Sequence, residues 1–153
     1  MNNSLSAEQA LKEVGFLAET TAGSSMLPLF KNRRDTVIIK PVGDERLKKY
    51  DVPLYRRGQK LVLHRIVKVR ENDYLICGDN CEEYEIVTDD QIIGVLSEFY
   101  RKNKHHTVED KGYLRYAKVW VAIFPLRKVA KFFYKVYLKL RQIGRRIFKK
   151  EAR

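Results

Sequence analysis

The sequence predicts a mainly β domain, a small coiled antiparallel sheet or barrel, with a short helix before it and a basic helical tail after it. Three observations carry this. Short β-branched and aromatic runs recur between residues 36 and 100, separated by Gly, Pro, Asn and Asp. From Gly112 the apolar residues switch to spacings of three and four, the period of a helix. Charge divides at the same place: residues 111–153 hold 14 Lys/Arg and one acidic residue, Glu151, whereas residues 1–110 hold 17 basic and 18 acidic residues. With 153 residues and 44% hydrophobic content, one compact domain plus an appendage is expected. The expected division is a β body over 1–101, a polar linker over 102–112 and a helical tail over 113–150.

In chain order, Ser6 is placed to cap a helix from Ala7 to Val14, with Gln9 as its capping-box partner and Gly15 as its stop. Leu11 and Val14 would share its apolar face. Thr36-Val37-Ile38-Ile39 reads as a strand ended by Pro41 and Gly43, and Glu45 to Tyr50 as a turn or short helical piece. Strands then follow over 51–57, 60–70, 73–77, 85–87 and 91–100. The turns between them are Arg57-Gly58-Gln59, Glu71-Asn72-Asp73 and Gly78-Asp79-Asn80. Pro53 marks an edge or a strand start.

In the tail, Tyr113, Tyr116, Ala117, Trp120, Val121 and Phe124 repeat at helical spacing, and Pro125 ends or kinks that segment. Beyond it, Leu126, Val129, Phe133, Val136, Leu140, Ile143 and Ile147 make one apolar stripe. Lys128, Lys131, Lys135, Lys139, Arg145 and Arg146 fall away from it, as candidate contacts for an anionic surface. That surface is a lipid membrane, a partner or nucleic acid; aromatics sharing a stripe with aliphatics suit lipid better than stacking on bases.

Several classes are set aside. Met1 to Gly15 has no apolar core of the kind a signal peptide needs. No run of about 18–20 apolar residues is present to span a membrane. Cys77 and Cys81, spaced C-x3-C, are two cysteines without a disulfide framework or the four ligands of a structural zinc site. His105 and His106 read as solvent-exposed side chains of the linker. The reading calls for no metal and no cofactor.

The chemistry centres on Thr21-Ala22-Gly23-Ser24-Ser25-Met26-Leu27-Pro28. Gly23 tolerates backbone angles closed to other residues, and Pro28 stiffens the exit. Such a segment holds a hydroxyl exposed beside backbone N–H groups that can stabilise an oxyanion. A serine hydroxyl needs a base within hydrogen-bond reach, and His64, set among Leu61, Val62, Leu63, Ile66 and Val67, is the candidate. Asp79 is the candidate carboxylate to orient that imidazole.

These segments resemble a known family. Gly23-Ser24-Ser25-Met26-Leu27-Pro28 is similar to the nucleophile motif of type I signal peptidases and the related LexA-like proteases, in which Ser-Met precedes a nearby Pro. Leu63-His64-Arg65-Ile66-Val67 resembles their general-base segment. Gly78-Asp79-Asn80, followed by Gln91-Ile92-Ile93-Gly94-Val95, resembles their Gly-Asp-Asn box and closing strand. The resemblance spans residues 18–97 in the family's order.

It implies Ser25 as nucleophile and His64 as base in place of the commoner lysine. That is the Ser-His branch found in the endoplasmic reticulum, archaea and some sporulating bacteria. Asp79 would then support the histidine and Arg65 would be structural. Gly23 stands where some members carry an oxyanion-donating serine. The oxyanion hole would rest on the Ser25 N–H, with the Ser24 hydroxyl as a further donor and Gly23, Ser24 and Met26 as support. The chain departs from the pattern in lacking an N-terminal anchor and an inserted second β domain, and in carrying the basic tail.

The expected function is a serine endopeptidase that cleaves a leader or signal-like peptide, cytoplasmic or peripheral at the inner face of a membrane. The family preference for small residues before the cleavage point is implied by the resemblance alone. The alternative is a non-catalytic membrane- or nucleic-acid-binding module on a degenerate protease scaffold. A self-cleaving transcriptional regulator is disfavoured, because about 20 residues before the motif are too few for a helix-turn-helix.

Overall fold

The computed structural model describes residues 7–151, without the side chains at positions 128, 131, 135 and 143–151. Helix α1 (Ala7–Glu13) stops where Gly15 takes a φ of +82°, a conformation that glycine adopts without a β-carbon clash. Leu11 is buried, but Val14 falls past the helix end and is exposed. The expected Ser6 cap lies outside the described residues.

Among the described residues nine strands follow: β1 (Leu17–Thr20), β2 (Thr36–Lys40), β3 (Pro53–Arg57), β4 (Lys60–Leu63), β5 (Arg65–Val69), β6 (Tyr74–Cys77), β7 (Glu85–Val87), β8 (Ile92–Arg101) and β9 (Lys104–Thr107). A 3-10 turn, Asp89–Gln91, precedes β8. The protein is mainly β, with a curled antiparallel sheet. One sheet runs β1-β2-β8-β3-β4 with β9 also on β8; the other is β5-β6-β7.

The long strand β8 pairs with β2, β3 and β9. Its pairing slips once against β2, where Ile38 faces Glu98 but Ile39 faces Leu96, and once against β3, where Leu54 faces Gly94 but Tyr55 faces Ile92. Each extra residue bends the strand and adds twist, which curls the sheet. At Gly94 a β-carbon would lie 2.6 Å from Ile39 Cγ2 and 2.9 Å from the Lys40 carbonyl, so the crossing of β2 and β8 has no room for a side chain. Two apolar clusters result. Leu11, Phe30, Val37, Ile39, Leu96 and Phe99 belong to one; Leu47, Tyr55, Ile66, Tyr74, Ile76 and Val87 form the other.

Three expectations are corrected. The strand expected over 60–70 is two strands in different sheets, broken at His64. A continuous strand would send His64 and Arg65 to opposite faces; the break leaves His64, Arg65 and Ile66 all buried. Strand β1 was not expected: it buries little, so it lacks the alternating signature and is recruited by pairing with β2. Residues 104–107, expected in a linker, form β9, joined to β8 through Lys102 at a φ of +54° and Asn103.

The helical tail begins inside the body. Helix α2 (Lys111–Ala122) buries Tyr113 and Ala117, and the chain divides within it, into Met1–Lys118 and Val119–Arg153. Helix α3 (Phe124–Glu151) carries Pro125 as its second residue, where the missing N–H breaks no helical bond. Among the described residues no helix is long and apolar enough to cross a membrane.

Candidate active site

The segment from Thr21 to Asp35 is an excursion closed at its base. Thr21 and Asp35 pair through the Thr21 N–H, and the Thr21 hydroxyl donates to the carbonyls of Lys31 and Asp35. The Asp35 carboxylate, fully buried, accepts from the Lys31 and Lys102 N–H groups and from both Nε and Nη2 of Arg34. Burial pushes this carboxyl up, but the hydrogen bonds from Arg34 and the two amides outweigh it and hold it at about 2. Met26, Leu29 and Phe30 insert into the first core cluster. Gly23 turns the chain at a φ of +88°, and its N–H donates to Asn32 Oδ1. Ser25 is thereby left half-buried at the rim, between exposed Ser24 and buried Met26.

The turn at Gly78-Asp79-Asn80 docks against this loop. It is closed by the Cys81 N–H donating to the Gly78 carbonyl. The Asn80 N–H donates to the Ser25 carbonyl at 2.7 Å, and Asn80 Nδ2 donates to the Ser24 carbonyl at 3.2 Å. Gly78 is the point of closest approach. A β-carbon there would lie 2.7 Å from Cys81 Sγ, 2.8 Å from the Ser25 carbonyl oxygen and 2.9 Å from His64 Nε2. Two atoms that each lie within 3 Å of one point are separated by less than about 6 Å, so the backbone of Ser25 and the His64 imidazole are close neighbours. The structure therefore brings together the serine segment, His64 and the Gly-Asp-Asn turn.

His64 is 3% exposed. Its Nδ1 lies 3.1 Å from the Tyr55 hydroxyl and 3.2 Å from Glu85 Oε1. Burial pushes its pKa below 6.5; Arg57 pushes the same way, while Glu85 and Asp79 oppose. The imidazole is therefore neutral at pH 7 and able to accept a proton.

Asp79 is 3% exposed and sits in the same region, but its carboxylate meets other groups. Arg65, fully buried, donates Nε and Nη2 to the two oxygens at 2.8 Å each. Tyr116 of α2 donates its hydroxyl to Oδ2 at 2.9 Å, and Arg65 Nη1 reaches the Tyr113 hydroxyl and the Tyr50 carbonyl. A fork-on-fork pair of this kind fixes geometry as well as charge. It anchors the turn whose next residue, Asn80, holds the serine loop. The carboxylate facing His64 Nδ1 is instead Glu85, in the run Glu82-Glu83-Tyr84-Glu85, where no spacing distinguishes one acid from its neighbours.

Of the support residues, Gly23 spends its N–H on Asn32 and Met26 packs in the core. Among the described residues the N–H groups of Ser25 and Met26 donate to no backbone carbonyl. Both are adjacent to the hydroxyl, where an oxyanion would form.

Among the described residues Cys77 and Cys81 form no disulfide, and Cys77 donates to the Glu83 carbonyl. His105 pairs with Glu98 and His106 stacks on Phe99. Among the described residues no group of His, Cys, Asp and Glu is placed to hold a metal ion. Of the expected tail contacts, Lys139 is exposed on α3; the side chains of Lys128, Lys131, Lys135, Arg145 and Arg146 lie outside those described. No protein-family model and no curated protein matches the chain.

Proposed function

We propose that the protein is a serine endopeptidase of the signal-peptidase-like type, working by Ser/His acyl transfer. The observation that carries this reading is the convergence at Gly78 of the Ser25 carbonyl and His64 Nε2, on a turn that has no space for a β-carbon. In this reading Ser25 Oγ attacks a peptide carbonyl and gives its proton to His64 Nε2. The imidazolium returns that proton to the leaving amine, and water then releases the acyl group by the same route. The Ser25 and Met26 amides receive the oxyanion. Arg65 and Asp79 hold the Gly78–Asn80 turn against the serine loop. The substrate class is a leader or signal-like peptide.

The test is cleavage of a mixed peptide library read by mass spectrometry. Ser25→Ala and His64→Ala should each abolish the wild-type products while leaving the circular dichroism spectrum unchanged. Products that persist in either variant would end the assignment.

A second observation supports action at a membrane surface. Helix α3 carries ten Lys/Arg against one acidic residue, Glu151. At 100° per residue, Leu126, Val129, Phe132, Phe133, Val136, Tyr137 and Leu140 fall on one arc of about 140°, and nine of the ten basic positions on the remainder, with Lys150 at its boundary. The described members of the apolar arc are exposed, Phe132 at 61% and Phe133 at 64%. A helix with one apolar half and one cationic half lies in the plane of an anionic bilayer. Nucleic acid would leave the apolar half unused. Flotation with vesicles of anionic and of zwitterionic lipid should show binding to the anionic ones, lost in the double variant Phe132→Glu, Phe133→Glu. Equal flotation with both lipids, or none with either, would refute the membrane part and leave the peptidase part standing.

A further inference from the structure

We propose that Glu85, together with Tyr55, is the positioning residue for the His64 imidazole, the part that the motif resemblance gives to Asp79. This inference rests on His64 being the general base. Its support is the set of atoms around Nδ1. Glu85 Oε1 lies 3.2 Å away and the Tyr55 hydroxyl 3.1 Å away. An ionised carboxylate can only accept, so the nitrogen facing it carries the ring proton. The Nε2 lone pair is then left on the side of Gly78 and Ser25, where a base is required.

The same oxygen of Glu85 accepts from Arg57 Nη1 at 3.0 Å. Arg57 ends β3 and Glu85 begins β7, the edge strand of the other sheet, so the two sheets meet beside the imidazole through this pair. Tyr55 is 1% exposed, and desolvation together with the Glu85 carboxylate raises its pKa, so its hydroxyl keeps its proton, which it donates to Glu85, leaving its oxygen to accept from the Nδ1–H. The charged and titratable groups near the ring are thus Glu85, Arg57, Asp79, Tyr55 and the Cys81 thiol. Among the described residues it is Glu85 that presents a carboxylate oxygen to Nδ1, whereas the oxygens of Asp79 meet Arg65 and Tyr116. When Nε2 takes the serine proton, the new positive charge is shared with Glu85. Glu85→Gln removes that charge and offers an amide N–H that favours the opposite tautomer.

The experiment is a long-range proton–nitrogen correlation spectrum of the nitrogen-labelled full chain from pH 4 to 8, with the His64 signals assigned by loss in His64→Ala. Wild type should show the proton on Nδ1. Glu85→Gln should move it toward Nε2 and lower the imidazole pKa by about one unit. Asp79→Asn should move both less. On a cleaved peptide, Glu85→Gln should lower kcat/KM at pH 7 by about 100-fold or more, with kcat carrying the loss and Glu85→Asp restoring part of it. An unchanged tautomer and pKa in Glu85→Gln, or a larger change in Asp79→Asn, would overturn the proposal. The spectrum needs no activity: cleavage surviving in Ser25→Ala would remove the peptidase reading and leave the Glu85 assignment to its own result.

Discussion

Replacing Gly78 by alanine tests the convergence directly. The new methyl would sit 2.7 Å from Cys81 Sγ, 2.8 Å from the Ser25 carbonyl oxygen and 2.9 Å from His64 Nε2, all inside van der Waals contact. The thiol can swing aside. The carbonyl cannot, because the Asn80 N–H holds it at 2.7 Å and the serine loop is fixed at its base by Asp35. Overpacking where the neighbours are backbone costs about 1–3 kcal/mol, which should lower Tm by several degrees in a body of this size. Two measurements separate the contributions. Thermal unfolding followed by circular dichroism gives the stability loss, and cleavage by folded protein below the transition gives the effect on the site. The double variant Gly78→Ala, Cys81→Ala frees the space taken by Sγ and should recover only part of the loss, because the clash with the Ser25 carbonyl persists. A Gly78→Ala protein with wild-type Tm and full cleavage would refute the picture of three segments meeting at one crowded point.

Three further outcomes follow from the buried charges. Arg65→Met leaves Asp79 buried without its fork and should cost about 3–5 kcal/mol in urea unfolding; adding Asp79→Asn should restore much of that, and no restoration would contradict the pairing. The Asp35 carboxyl drops from 3.8 to about 2 on folding, so its contribution is full above pH 3.8 and is lost as pH falls toward 2; Asp35→Asn should flatten that acid limb of the Tm–pH curve. Tyr116→Phe removes one hydroxyl donated to the Asp79 carboxylate and should cost about 1.5–3 kcal/mol. Wild-type stability in that variant would place α2 off the turn.

Much of the fold is written in local pattern. The alternation of Val37 and Ile39 marks β2, Gly15 ends α1, and Pro125 sits where one helix gives way to the next. What local pattern does not carry is set by partners distant in sequence. Strand β1 has one half-buried residue and three exposed ones; only β2 makes it a strand. Strand β9 is Lys-His-His-Thr, polar enough to pass for a linker, yet it completes the edge beside β8. The apolar run around His64 reads as one strand because periodicity cannot report a change of sheet. The site divides the same way. Ser25, His64 and the Gly-Asp-Asn turn stand out because small and polar residues interrupt apolar runs. Glu85 and Tyr116 do not, since an acid in an acidic loop and a tyrosine in an amphipathic helix look ordinary until their partners are known.

The distribution of buried polar groups favours the proposed peptidase reading over a degenerate scaffold. Among the described residues the buried polar or charged ones are Asp35, His64, Arg65 and Asp79. Asp35 ties the serine loop, and Arg65 and Asp79 neutralise each other. Each of these three returns its desolvation cost to the fold through charge-assisted bonds. His64 does not: burial lowers its pKa, so the fold holds it uncharged, and its Nδ1 partners include Glu85, which already has Arg57. A purely structural core gains from an apolar side chain at such a position, because burying an imidazole gives less than burying a hydrocarbon of the same size. What the imidazole would supply instead, in the proposed reading, is a dry, neutral, oriented lone pair facing the backbone of Ser25. Residues that break the local rules of packing without returning stability are where function concentrates, and in the body of this protein His64 fits that description better than its three buried polar neighbours.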